Sequence, residues 1–396
     1  MTERTQVGIL GAGPAGLMLG HLLHQAGIES VVLERRSREY VESRVRAGVL
    51  EHGAAELLRR SGVGDRMDRE GLFHRGINLQ FAGGRHHIDF VDLTGRGIMV
   101  YGQQEVVKDL IGARLAAGAE ILFESEASGL DRLDDERPRV RYRQGGGERV
   151  LACDFLAGCD GSHGVARTAL FEGSFSYERD YPHSWLGILA RTPPASEELI
   201  YAYHERGFAL HSMRSPELSR LYLQVPADED LEGWPEERIW DELRLRLGEA
   251  GLQPGEILDI GITPMRSLVT EPMQHGRLFL AGDAAHIVPP TGAKGMNLAL
   301  ADARVLAAAL VEWYRSGSRA GLEGYTAACL PRVWRAEHFS AFMTGMLHRG
   351  PAGDPFEHKL RLANLVYITE SRPAATSLAE NYTGAATGLE ETYGRE

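Results

Sequence analysis

The sequence predicts an α/β chain with an α+β insert: a Rossmann-like nucleotide-binding domain, an inserted mainly β domain, and a C-terminal helical region. Three observations carry this. A glycine-rich turn, Gly11-Ala12-Gly13-Pro14-Ala15-Gly16, joins an apolar run to a helical pattern. Short strand-like runs replace helix–strand alternation between 176 and 270. Helical spacing of apolar residues then dominates 295–346. Alternating strands and helices call for a parallel sheet covered on both faces; clustered short strands call for a separate β layer.

The elements follow in order. Residues 7–10 read as a strand, 15–25 as a helix with Gly27 as its C-terminal cap, and 31–33 as a second strand closed by Glu34. Ile77, Leu79 and Phe81 alternate with polar residues before Gly83-Gly84 and a further run, so 76–91 reads as a hairpin. Residues 103–117 read as a helix, and 118–157 as two or three strands with a polar turn at 145–147. The expected organisation is a nucleotide-binding domain over 1–175 that includes the hairpin, then a β insert over 176–270. The insert has runs at 185–189, 199–203, 208–213 and 221–225 and a helix near 236–247. Residues 271–396 return to the first domain with a strand at 278–281, helices over 295–346, and about 25 small, polar, turn-forming residues at the end.

Composition limits the function. Of 396 residues, 43% are apolar and 25% charged, a globular balance with material for two or three cores at roughly 100–200 residues each. The net charge of −12 argues against a general nucleic-acid or anionic-membrane binder. Three cysteines, Cys153, Cys159 and Cys329, form no CxxC, so no disulfide framework and no structural metal are expected, and a reducing cytoplasm fits. The longest apolar stretch, 298–311, is broken by Asp302 and Arg304 and falls short of the roughly 20 residues of a membrane span. The N-terminal apolar run follows Glu3 and is cut by glycines and Pro14, so it reads as strand and turn, not as an export signal. Only Lys108, Lys294 and Lys359 are lysines, so a lysine inside a motif, as Lys294 is, stands where arginine does not serve.

Gly11, Gly13 and Gly16 allow a tight turn and close approach of a pyrophosphate, with Pro14 and Ala15 opening a helix whose free N–H groups face the phosphates. Glu34 lies 21 residues after Gly13, the distance at which an acid accepts from a ribose hydroxyl. This fingerprint alone does not separate NAD from FAD. Two further segments do. Residues 155–167 contain Asp160-Gly161 and His163. Residues 278–299 end an apolar strand in Gly282-Asp283, then run through a Pro/Gly-rich loop into a helix at Gly295-Met296-Asn297. An acid at a strand's C-terminal end can accept from a ribitol hydroxyl, and a loop feeding a helix N-terminus can stabilise negative charge on a flavin ring.

In the insert, Ser212 and Arg214 share one face of a predicted strand, and Arg220 and Tyr222 share one face of the returning strand. Converging on a pocket they make a carboxylate clamp; left in water they are a polar hairpin face.

The three nucleotide-binding motifs, in this order and spacing, resemble the class A flavoprotein aromatic hydroxylases over nearly the whole chain. Arg46-Ala47-Gly48-Val49-Leu50-Glu51, Val100-Tyr101-Gly102-Gln103, the stretch 271–295 and Ala379-Glu380-Asn381-Tyr382 resemble members that act on 4-hydroxybenzoate. The resemblance implies a Rossmann-like FAD-binding domain, FAD as cofactor, NADPH as donor with NADH possible, and O2 as co-substrate. It implies hydroxylation of 4-hydroxybenzoate to 3,4-dihydroxybenzoate through a flavin C4a-hydroperoxide, and a homodimer. It assigns Ser212, Arg214 and Tyr222 to the substrate carboxylate. It assigns Tyr201, Tyr382 and His74 to a relay that removes the phenol proton, and the Pro290 carbonyl to the phenol. An unperturbed phenol titrates near pH ~10, so such a relay is what makes a phenolate at neutral pH.

On the cofactor side, the resemblance places Arg46 at the pyrophosphate, Gln103 at the flavin side chain, Asp283 at the ribitol and Asn297 beneath the ring. Arg220 influences flavin position, and Asp160 and His163 lie in a segment shared by FAD and the donor. Arg35 and Arg44, with Arg36, Arg38 and Tyr40, form a cluster suited to a 2′-phosphate, and Arg266 is a further phosphate contact. The rivals are a sister hydroxylase acting on another phenolic acid, an NAD-dependent dehydrogenase, and a non-catalytic flavin sensor.

Overall fold

The computed structural model describes residues 2–46, 48–170, 174–248, 251–350 and 354–384. Ala47 of the 46–51 motif and the end of the chain from 385 lie outside them.

Four apolar residues in a row make Val7–Leu10 a strand buried on both faces. It pairs in parallel with Ser30–Leu33 on one side and Phe155–Gly158 on the other. Leu278–Leu280 adds to Phe155–Gly158, so the chain re-enters this sheet after the insert. Ile121–Leu122 and Gln274–His275 close the two edges of a six-stranded sheet. Helix Pro14–Gln25 starts with proline at its first turn, where no N–H is missed. It packs beside helices Gln103–Ala116 and Gly295–Ser316. Arg114, 1% exposed, donates to the carbonyls of Gly20, Ser30 and Glu120, a staple that engages all three guanidinium nitrogens where no carboxylate is needed.

The second sheet has eight strands. In order these are His286–Ile287, Glu256–Glu271, Phe175–Arg191, Leu218–Pro226, Ala209–Ser215, Ile200–Ala202, Gly76–Phe81 and Gly84–Asp89. Period-two alternation splits its residues. Leu186, Ile188, Ile200, Leu221 and Leu223 face helix Glu236–Leu247, with Trp240 and Leu243 between them. Leu79, Trp185, Tyr201, Leu210 and Tyr222 face the other way, towards the C-terminal helices. Two smaller sheets complete the architecture. Thr2–Arg4 joins Gly147–Ala152, Arg139–Gln144 and Glu126–Asp131; Val49–Leu50, Ile98–Val100 and Leu72–His74 form the other.

The structure corrects several expectations. The hairpin ends at Asp89, because Val91 lies in the helix Phe90–Thr94, and it pairs through Ile200–Ala202 into the eight-stranded sheet, not the nucleotide-binding one. Residues 118–157 hold five strands, not two or three, and the turn at 145–147 closes a hairpin between Gln144 and Gly147. The strand Glu256–Glu271 went unpredicted because Gly261 and Pro264 interrupt its pattern; it pairs along Phe175–Arg191, with an irregularity between Asp180 and Ser184 that accommodates the proline. The helical stretch 295–346 is three helices, Gly295–Ser316, Ala320–Glu323 and Tyr325–Leu347, separated at Gly317 and Gly324. Of the last 25 or so residues, 372–383 form the helix Arg372–Thr383, not turns, and those from 385 lie outside the described residues; Pro355–Glu370 is a further helix before them. Among the described residues no helix is long and apolar enough to cross a membrane, and the three cysteines are buried, free thiols.

Candidate active site

The cofactor end lies at the C-terminal edge of the six-stranded sheet. Gly11 has φ +99°, and a Cβ there would meet the Cys159 carbonyl oxygen at 2.4 Å, so only glycine makes this turn. A Cβ on Gly13 would meet nothing within 4 Å, which leaves the turn open to a ligand. No side chain caps the helix that follows, so its first N–H groups are available to phosphates. Glu34, 9% exposed, accepts from Ala12 N at 2.8 Å and from Arg36 N at 2.8 Å, which fixes its carboxylate at the end of its strand. These features fit FAD.

Gly282 turns at φ +63° beneath Ala15 and Ala299. Its N–H donates to Asp302 at 3.1 Å; Asp302 also holds His286 Nε2 at 2.6 Å and Arg332 at 3.5 Å, and is fully buried. Burial alone would raise the Asp302 pKa, but the charge and hydrogen bond of His286, with Arg332 and the Gly282 N–H, together outweigh it and hold it low, and Asp302 holds His286 high against the same burial. The sequence showed Asp302 only as a break in an apolar run; it is the brace of the Gly282-Asp283 turn. Asp283 stays half-exposed and lies 3.9 Å from Arg46.

Asn297 does not present a free amide. Its Oδ1 accepts from Glu51 N at 2.9 Å and its Nδ2 donates to the carbonyls of Val49 and Ala293, tying the 49–51 segment to the loop. Asp160 is also inward-turned: it accepts from Ala166 N at 3.0 Å, and burial raises its pKa. Gly161 turns beside it at φ +77°, and His163 is exposed. Gln103 and Gly295 open their helices, with Met296 next, half-buried.

Lys294 explains its rarity. It is 4% exposed, and Nζ spends three donors on Glu51 Oε1 at 2.5 Å, Asn381 O at 2.5 Å and Tyr382 O at 3.0 Å. A compact ammonium fits three converging acceptors; a planar guanidinium does not. It pins the end of helix Arg372–Thr383, and with it Tyr382, to the flavin-side loop.

The residues expected to form the clamp share one sheet face. Ser212 lies opposite Arg220, and Leu210 opposite Tyr222, on the face that also carries Tyr201. Arg220 donates to Asp259 at 3.0 Å and sits 5.3 Å over the Tyr222 ring. Ser212 Oγ and the Nε and Nη1 of Arg214 are buried without partners. Burial lowers the Arg214 pKa, and no carboxylate answers it. A buried guanidinium with unused donors is costly until an anion arrives. His211 points to the opposite face and accepts from Ala195 N at 3.1 Å.

Tyr201 Oη and Tyr382 Oη are 2.6 Å apart, and both hydroxyls are held above the ordinary phenol range by burial. Phe90 and Phe339 pack around Tyr382. Pro290 opens the turn Pro290–Gly292, and its carbonyl accepts from Ala293 N at 2.9 Å, leaving one lone pair. The expected relay partner His74 lies inside the protein, 1% exposed, and neither of its nitrogens has a partner.

Among the arginines expected to serve the donor, Arg35, Arg36, Arg38 and Arg44 are exposed. Arg36 lies 5.0 Å and Arg44 6.0 Å from the Tyr40 ring, Arg35 is exposed beside them, and Arg38 is drawn to Glu42 at 2.6 Å. Arg266 is half-buried and stands opposite Asp180.

Residues 4–340 match the family described as FAD binding domain. The p-hydroxybenzoate hydroxylase of Acinetobacter baylyi is 47% identical over 388 residues, 97% of this chain and 96% of that protein. The rifampicin monooxygenase of Rhodococcus hoagii is 27% identical over 74% of this chain and 61% of its own length. The crystal structure of p-nitrophenol 4-monooxygenase from Pseudomonas putida superposes with a TM-score of 0.84 over 98% of this chain and all of that one, at 19% identity, which speaks to the fold alone.

Proposed function

This chain belongs to the FAD-binding domain family and is an FAD-dependent monooxygenase, and on that premise we propose that it hydroxylates 4-hydroxybenzoate to 3,4-dihydroxybenzoate. The carrying observation is Arg214, whose Nε and Nη1 are buried and unpaired, with the unpaired Ser212 hydroxyl on one sheet face with Tyr222 and Tyr201. A carboxylate seated there takes bidentate donors from Arg214 and a hydroxyl donor from Ser212. With the carboxylate fixed, a para hydroxyl points along the same face towards Tyr201. Tyr201 receives the phenol proton as it hands its own to Tyr382, and the resulting phenolate activates the ring ortho to its oxygen. The buried face excludes water, and the Pro290 carbonyl orients the hydroxyl. Bound FAD supplies the redox and oxygen chemistry.

Arg35, Arg36 and Arg44 offer charge to a 2′-phosphate, which supports NADPH over NADH as donor. The three buried thiols suit action in the cytoplasm. Helix Pro355–Glu370 supports a homodimer: Phe356, Leu360 and Tyr367 are exposed along it, at 69%, 50% and 59%.

The test uses FAD-loaded protein, NADPH and NADH in turn, 4-hydroxybenzoate and air, following donor oxidation and identifying the aromatic product by mass spectrometry. Stimulated oxidation with 3,4-dihydroxybenzoate as product supports the proposal. Stimulated oxidation yielding only peroxide points to a sister phenolic acid as the true substrate. No stimulation by 4-hydroxybenzoate with either donor overturns the substrate assignment.

A further inference from the structure

His74 sits at the inner end of a route it does not complete. Its ring nitrogens are out of reach of solvent and unpartnered, and burial pushes its pKa down to about 4. Such a ring passes a proton from one nitrogen to the other but neither stores it nor delivers it to bulk water. The peptide leaving His74 is occupied by a carboxylate: Arg75 N and Gly76 N both donate to Glu198 Oε1, at 2.7 and 3.1 Å. The charge of Glu198 acts on the His74 ring and favours a proton there, while Arg214, on the substrate side, opposes it. The other oxygen, Glu198 Oε2, lies 2.6 Å from His87 Nε2. The Glu198 side chain is 18% exposed and that of His87 43%, so the pair spans the step from interior to water. His87 is on the strand Gly84–Asp89, at the edge of the eight-stranded sheet, where Arg75 is separately held by Asp89 at 3.1 Å.

We propose that Glu198 and His87 form the port through which the phenol proton, having passed Tyr201, Tyr382 and His74, leaves the protein. The proposal rests on the hydroxylase reading above. The phenol O–H bond breaks and an O–H bond forms on Tyr201 as the proton of Tyr201 passes to Tyr382 and onward. One nitrogen of His74 gains a proton as the other gives one up to the Glu198–His87 pair, which returns it to water. No electrons move, and one proton leaves for each phenolate formed. The two flanking charges act oppositely at His74: Arg214 on the inner side disfavours a proton there, and the carboxylate of Glu198 favours one on the outer side, next to the pair that takes it onward.

The experiment mixes FAD-loaded enzyme with 4-hydroxybenzoate in weak buffer and follows proton release with a pH-indicator dye in stopped flow. Wild type releases one proton per bound substrate. His87→Gln and Glu198→Gln each slow the release about tenfold, less than the ~100-fold typical of a group acting on the reacting atom itself, with substrate affinity unchanged. Added imidazole restores the rate in His87→Gln, which a merely structural lesion would not allow. Release at the wild-type rate in both variants overturns the port, as does slowing that imidazole leaves untouched and that comes with lost affinity. Wild type that binds 4-hydroxybenzoate without releasing a proton would instead sink the underlying reading, so the two failures are distinct.

Discussion

In the proposed reaction, Arg214 and Tyr201 divide the recognition of the substrate into charge and proton. Arg214 has Nε and Nη1 buried and unpaired, so its donors are committed to a ligand before the ligand arrives. Arg214→Lys keeps the charge and loses the fork. Removing one charge-assisted bond of roughly 1.5–3 kcal/mol raises Kd for 4-hydroxybenzoate about ten- to a hundredfold. A titration of flavin fluorescence measures it, and wild-type affinity in the variant would dissolve the clamp. Tyr201→Phe makes the opposite cut. It leaves the carboxylate contacts alone and breaks the 2.6 Å bond to Tyr382. Substrate affinity therefore changes little, hydroxylation falls about 10²-fold or more, and the difference in reducing equivalents appears as hydrogen peroxide; unchanged coupling would remove Tyr201 from phenol activation. At this scale the sequence showed which side chains have useful chemistry but not which are left unpaired. Ser212 and Arg214 announced themselves by spacing on a strand. Glu198 and His87, 111 residues apart, carry no local pattern; Glu198 just precedes Ile200–Ala202, whose pairing with Gly76–Phe81 brings it to the hairpin strand Gly84–Asp89 that carries His87.

Helix Tyr325–Leu347 links these residues to the cofactor loop. Glu337, Ser340 and Thr344, with His348 just past the helix end, recur at helical spacing and are all buried, a polar ridge along its buried face. Thr344 Oγ1 donates to Thr291 Oγ1 at 2.9 Å, Ser340 backs Gly292, and His348 Nε2 accepts from Trp185 at 2.6 Å, so one helix and its cap touch both the Pro290–Gly292 turn and the eight-stranded sheet. Glu337 accepts from Ser267 at 2.8 Å, but its second oxygen is unpaired, and burial pushes its pKa up to about 7 from the usual 4.5. The folded protein thus holds a proton that the unfolded chain has lost. Below pH 4.5 both states are protonated and there is no penalty; the penalty grows as pH rises through 7 and is full above it. Glu337→Gln keeps an acceptor for Ser267 and removes the ionisation. Its stability relative to wild type should therefore rise by roughly 2–3 kcal/mol between pH 5 and pH 8, measured by urea unfolding of the holoenzyme; a pH-independent difference would mean Glu337 is already ionised in the fold. Element boundaries show the same limit on legibility as the residues. The helix Arg372–Thr383 buries Ala375, Leu378, Ala379 and Tyr382, at helical spacing, yet its threonines, serine and flanking glycine read as turns. Propensity pointed one way and packing decided the other.

Across the whole molecule, the glycine turn, the Glu34 strand and the Gly282-Asp283 strand were legible because each is a local strand–turn unit, and parallel pairing brought the three together. The proposed substrate pocket is different in kind: it would draw on Leu72–His74, the strand Ala209–Ser215, the Pro290 loop and the end of the last described helix at once. Long-range pairing, not local pattern, creates it, so from sequence its members were nameable mainly through resemblance. That same last region leaves one face without a covering element. On helix Pro355–Glu370, Phe356, Leu360 and Tyr367 are exposed, with Val366 at 39% beside them. Ala363, small and exposed, lies at the centre of the face. Lys359 stands towards one end and Glu370 at the other, so antiparallel self-pairing about Ala363 brings opposite charges together as it covers the apolar side chains. A twofold contact of this kind is self-complementary by construction, and a stable one covers roughly 1,200–2,000 Å² in total. Light scattering of the wild type should give twice the chain mass of 43.5 kDa. The double variant Phe356→Glu/Leu360→Glu places like charges at the centre of the contact and should give a single chain that retains the flavin spectrum and binds 4-hydroxybenzoate, because neither residue reaches the pocket. A wild type that scatters as one chain at micromolar concentration, or a variant that stays double, would show that this helix face is not where two copies meet.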